Sequence, residues 1–116
     1  MVRRSSEMEV EYREKMRDGK GTVKVTHLVK KEDFQAKVRL CAHLSIPVGG
    51  SIGFHHHLDE DEVYIITKGK GILYTGDEAI PVEVGDSVLT GQGAGHSIAN
   101  AGNTELELIS FIAKYE

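Results

Sequence analysis

Between Ala36 and Ile46 apolar and polar residues alternate, placing Val38, Leu40, Ala42, Leu44 and Ile46 on one face and Lys37, Arg39, Cys41, His43 and Ser45 on the other. That two-residue period predicts a long, half-buried β-strand. Thr22 to Val29 is rich in β-branched residues and reads as a strand before it, with Lys31-Glu32-Asp33 as the break between the two. Pro47 to Gly53 reads as a glycine-rich bend, and Phe54 to Leu58 as a short strand carrying three adjacent histidines. Glu62 to Thr67 is a nearly continuous apolar run closed by Lys68-Gly69-Lys70-Gly71, the signature of a buried strand ending in a turn. Further short strands are predicted over Ile72 to Thr75, Glu78 to Val84, Ser87 to Thr90, Ser97 to Ala99 and Glu105 to Ala113, with glycine-containing turns among them.

The first residues fit two periods. Met8, Val10 and Tyr12 alternate with acids and Arg13, as in a strand, while Met8, Tyr12 and Met16 also fall at helical spacing, with Ser6 and Glu9 placed as a capping box. An extended arm over residues 1–21, ahead of a single domain over 22–116, is the preferred reading. Nine or ten short strands argue for an all-β sandwich or barrel and against parallel βαβ units.

Composition narrows the class. A length of 116 residues with 40% hydrophobic content holds one domain and one core. Eighteen acids against 14 bases, spread along the chain, leave no basic face for nucleic acid. No stretch approaches the ~20 apolar residues of a membrane span. Cys41 is the single cysteine, so no intrachain disulfide forms, and the expected location is the cytoplasm.

The chemistry concentrates in His55, His57, Glu62 and His96. Alternate residues of a strand share a face, so His55 and His57 point together while His56 points away; a neighbouring strand can bring Glu62 beside them, and His96 returns from a distant one. Three imidazoles and a carboxylate suit a six-coordinate divalent metal with two open positions. Asp59, Glu60 and Asp61 read as a solvated turn, with Glu60 the candidate for a mobile acid over the site. Arg39 is a candidate for steering an anionic substrate, against the plainer reading of a pair with surface acids. His27 and His43 read as ordinary strand histidines, and Cys41 as a small buried apolar side chain. Extending the strand period from the ligands predicts Tyr64, Ile66 and Ile98 as the lining of a small pocket with few polar contacts.

Gly49, five residues, His55-x-His57, four residues, Glu62, six residues, Gly69 resembles the first motif of the cupin superfamily. Gly85, five residues, Gly91-Gln92-Gly93, two residues, His96, three residues, Asn100 resembles its second, with Gly91 where the family pattern has proline. The resemblance implies a double-stranded antiparallel β-helix, or RmlC-like jelly-roll barrel. It implies a metal held by His55, His57, Glu62 and His96, with manganese the first expectation and iron, nickel or zinc also used by such proteins. It further implies a homodimer. Gly19-Lys20-Gly21 and Val82 to Asp86 look most like small proteins related to oxalate decarboxylases. The function expected is action on a small carboxylate or enediol-like ligand chelated to the metal. A metal-dependent dioxygenase is the enzymatic alternative, and a non-catalytic cupin that binds metal or a small ligand is the alternative of another class.

Overall fold

The computed structural model describes residues 1–116 as ten strands: β1 (Glu9–Glu14), β2 (Thr22–His27), β3 (Val38–Ile46), β4 (Ser51–His56), β5 (Glu60–Lys68), β6 (Lys70–Tyr74), β7 (Ala79–Glu83), β8 (Ser87–Thr90), β9 (Gly95–Asn100) and β10 (Leu106–Lys114). Three one-turn 3-10 segments, Ser5–Glu7, Met16–Asp18 and Lys31–Asp33, are the only helical pieces. The strands form two antiparallel sheets, one of six in the order β1-β2-β3-β10-β5-β8 and one of four in the order β4-β9-β6-β7. This is the jelly-roll arrangement, all β as the alternation requires.

The alternating faces meet between the sheets. Val23, Val25, Ala42, Leu44, Ile46, Leu106 and Leu108 come from the large sheet, and Ile52, Leu73, Val82 and Ile98 from the small one, joined by Tyr64 and Ile66 of β5. Fully burying an aliphatic side chain of this size contributes about 1.5–3 kcal/mol, so this layer is the main source of stability. The N-terminal residues do not stand apart from it: β1 pairs along its whole length with β2, from Glu9 opposite His27 to Glu14 opposite Thr22.

β4 departs from the sequence reading. Ser51 to Gly53, expected in a bend, belong to the strand, which carries a bulge against β9: Ile52 pairs with Ile98, but His55, three residues on, pairs with His96, only two back. One extra residue thus lies on β4, and it reverses the phase of the side chains. Ile52 faces the core, Phe54 faces solvent, and His55 and His57 face inward again. Gly53 occupies the bulge because a side chain there would overlap the carbonyl oxygen of Arg17.

Candidate metal centre

His55, His57, Glu62 and His96 meet between the two sheets, each offering one ligand atom, and all four atoms lie within 4.8 Å of one another. The register makes this meeting. His55 and His96 are cross-strand partners on β4 and β9. The pairing continues past the end of β4, since the His57 N–H donates to the Ala94 carbonyl and the His57 carbonyl accepts from Gly93. Glu62 reaches across from β5 of the large sheet, where it sits between Thr90 of β8 and Ile112 of β10. His57, Glu62 and His96 are buried, and His55 is half-buried, leaving one side open.

The distances match an ion's coordination shell. Glu62 Oε1 lies 2.8 Å from His57 Nε2 and 2.9 Å from His96 Nε2, and the two ring nitrogens are 3.1 Å apart. Neighbouring ligands at right angles, each about 2.1 Å from a common ion, stand about 3.0 Å from each other. Glu62 Oε1 is nevertheless a buried oxygen that no hydrogen bond satisfies. A buried carboxylate oxygen facing two imidazole nitrogens without a proton directed at it calls for a cation, and the residues fit one.

Each ligand is held from behind. His55 Nδ1–H donates to the Gly53 carbonyl at 2.7 Å and His57 Nδ1–H to Glu60 Oε2 at 2.6 Å. His96 Nδ1 bonds the Thr90 hydroxyl at 2.9 Å, and the Ser110 hydroxyl donates to Glu62 Oε2 at 2.6 Å. Bonds at Nδ1 leave every Nε2 for the ion and fix the ring orientations. Tyr64 stacks on His96 with ring centroids 4.9 Å apart.

Acidities follow from the same contacts. Burial works to raise the Glu62 carboxyl, but contacts with His57, His96 and Ser110 overturn it and hold the group well below the ordinary carboxylate range. Burial works to lower His57, and the Glu62 and Glu60 carboxylates beside it reverse the sign and hold it above its ordinary value. His55 moves down because burial outweighs its bond to Gly53. The Tyr64 phenol is pushed well above its usual value by burial and by the Glu62 charge.

The cupin-domain family profile matches residues 42–112, a span that contains all four ligand positions. The chain belongs to the cupin family. This cupin is 43% identical over 112 residues to an oxalate-binding protein of Thermotoga maritima, with 97% of this chain and 93% of that protein covered. It superposes on a crystal structure from the same organism described as a predicted oxalate decarboxylase with a TM-score of 0.93 and 42% identity, covering 98% of this chain and 99% of the other. An RmlC-like cupin of Shewanella frigidimarina, 15% identical with a TM-score of 0.77 over 97% of this chain and 89% of its own, shares the fold.

Other residues singled out in the sequence fall as follows in this cupin. Glu60 is not part of a solvated turn. It is buried beside His57 and receives two bonds from Arg39, Nε at 3.0 Å and Nη2 at 2.9 Å, which hold its carboxyl below the ordinary range. Its residue number gave no hint of this, because the partner comes from β3, 21 positions away. His56 points away and bonds the Gly93 carbonyl. His27 and His43 face Glu11 and Glu107 on the outer surface. Cys41 is half-buried on the outer face of β3, not in the core.

A cavity of about 40 Å³ adjoins the cluster. Tyr64 lines it, whereas Ile66 and Ile98 lie in the apolar core. Its wall also includes Arg13, Arg17 and Arg39, a polar border the strand period could not reveal because two of the three come from the N-terminal segment. The departure at Gly91 has a neighbour to explain it: the Asp61 carboxylate occupies the space a side chain would need.

Proposed function

We propose that this cupin holds a divalent metal, manganese first, on His55, His57, Glu62 and His96, and captures oxalate or a similarly compact carboxylate on it. The observation that carries the reading is the unsatisfied Glu62 Oε1 at the meeting point of three imidazoles, beside a cavity that admits only a few atoms. Oxalate is suggested by the Thermotoga relative named for binding it. The bound metal would act as a Lewis acid and template for carboxylate oxygens. The chain's own groups orient the imidazoles, exclude water on the sheet side and border the ligand with guanidinium groups.

Binding without turnover is the form the cavity favours. Glu62 is the one carboxylate that lines it, and that group is already committed to the cluster. Glu60 is locked between Arg39 and His57, so neither acid is free to deliver a proton to a carbon left by departing carbon dioxide. The second reading, a decarboxylase, has in its favour the overlay on the Thermotoga structure so described. Isothermal titration of oxalate into protein loaded with manganese tests the first, and an assay for formate tests the second. Absence of saturable oxalate binding by metal-loaded protein overturns the proposal. Formate produced at many turnovers per site replaces it with the decarboxylase reading.

A homodimer is part of the proposal. The outer face of the six-stranded sheet exposes Ile65 and Leu89, next to half-buried Val63, Ile109 and Phe111, an apolar area suited to a second copy. Sedimentation at micromolar concentration should give a dimer; a monomer there contradicts it.

A further inference from the structure

Residues 15–18 cross above β4 at the cavity's edge in a backbone conformation that side chains rarely adopt. Lys15, Arg17 and Asp18, none of them glycine, all lie in the left-handed region, with φ of 49°, 55° and 64°. The segment is held there firmly. The Lys15 N–H donates to the Gly21 carbonyl, the Ser51 N–H to the Lys20 carbonyl, and the Lys20 N–H to Ser51 Oγ. Gly19 and Gly53 permit the two backbones to touch, since a side chain on either would overlap the other segment. Costly dihedrals fixed by so many contacts are characteristic of sites where a side chain must be aimed.

The side chain aimed is that of Arg17. Of the three arginines on the cavity wall, Arg39 is engaged by both oxygens of Glu60, and Arg13 is paired with Glu11. Arg17 has neither an acidic partner nor a hydrogen bond, yet its charge acts on the buried Tyr64 phenol that stacks against His96. A metal dication offset by Glu62 leaves one positive charge facing the cavity, and the unpaired guanidinium makes two. The other two arginines are already neutralised. The complementary ligand is therefore a dianion, one carboxylate on the metal and the second within reach of a planar, two-pronged donor.

We infer that Arg17, carried on the strained strap over β4, is the residue that selects a compact dicarboxylate over a monocarboxylate at this site. The inference rests on the metal-and-carboxylate reading above and adds to it the group that reads the second charge. Arg17 is a binding residue, exposed and outside the metal cluster, so its removal should leave the metal in place.

Oxalate and acetate titrated into manganese-loaded wild type, Arg17→Met and Arg17→Gly test it, with manganese affinity measured separately by chelator competition. Arg17→Gly accepts the left-handed conformation and guards against a failure to fold. Expected is oxalate binding about 10- to 100-fold weaker in both variants, acetate binding changed by less than about threefold, and manganese affinity unchanged. Arg17→Lys should restore part of the oxalate affinity, through charge without the fork. Wild type that binds manganese but no oxalate defeats the underlying function. Wild type that binds oxalate no better than the Arg17 variants leaves that function standing and overturns the role of Arg17.

Discussion

Replacing Glu60 by glutamine isolates what the residue behind a metal ligand contributes. Glu60 is 9% exposed and serves two partners, accepting His57 Nδ1–H at 2.6 Å and both donors of Arg39. The amide oxygen of glutamine can still accept from His57, but its NH₂ then faces the Arg39 donors, and the negative charge that strengthens the imidazole as a ligand is gone. Loss of such a partner costs about 10- to 100-fold in metal affinity. That corresponds to about 1.4–2.8 kcal/mol. The Arg39 side chain is 39% exposed, so its pair with Glu60 is screened by water and contributes no more than about 1 kcal/mol. The affinity loss must then run through His57. Competition with a chromophoric chelator for manganese and for zinc, on wild type, Glu60→Gln and Arg39→Gln, separates the two contacts. Glu60→Gln should show the full loss and Arg39→Gln only a small part of it. Wild-type affinity in Glu60→Gln, or an equal loss in Arg39→Gln, would refute the chain of reasoning from Glu60 through His57 to the ion.

Glu62→Gln should abolish stoichiometric metal by elemental analysis while circular dichroism keeps the β spectrum, because the lost group is the anionic ligand and not a core hydrocarbon; retained metal would contradict the site. Metal-free protein should lose thermal stability as pH climbs above 6.5. His57 is held above its ordinary 6.5 in the fold, so its contribution is complete below 6.5 and fades as pH rises through the folded-state value, and His55, shifted downward, is already neutral there. At the acid end the depressed Glu60 and Glu62 carboxyls contribute stability above 4.5 that fades as pH falls through their folded values. A midpoint that climbs as pH rises above 6.5 would tell against the His57 assignment. Gly53→Ala should unfold at a lower temperature, by about 1–3 kcal/mol, since its methyl group must displace the Arg17 carbonyl; an unchanged midpoint in thermal denaturation would count against that close approach.

The strand pattern and the ligands were readable because both rest on short-range regularities. Alternation located β3, and glycine-bounded apolar runs located β5 and β8, to within a residue or two. The four ligands were marked by residue type and spacing. The remainder depended on contacts between distant segments. Glu60 is one of three consecutive acids and differs from Asp59 and Asp61 only because Arg39 lies opposite it. Ile66 and Ile98 do share a strand face with ligands, yet the core sits between them and the cavity. Arg17 is one charged residue in a charged N-terminal stretch, and only the crossing over Gly53 brings it to the metal centre.

The bulge in β4 also decides which length changes the site can survive. Deleting the one extra residue between Ile52 and His55 would restore regular alternation, with His55 still opposite His96 and both His55 and His57 turned inward. A strand that kept the extra residue but paired without a bulge would turn His55 and His57 to the outside and leave His56 alone facing inward. The ligands therefore depend on the backbone geometry at Gly53 and not on the number of residues before them, and a relative one residue shorter at this point can keep the whole site.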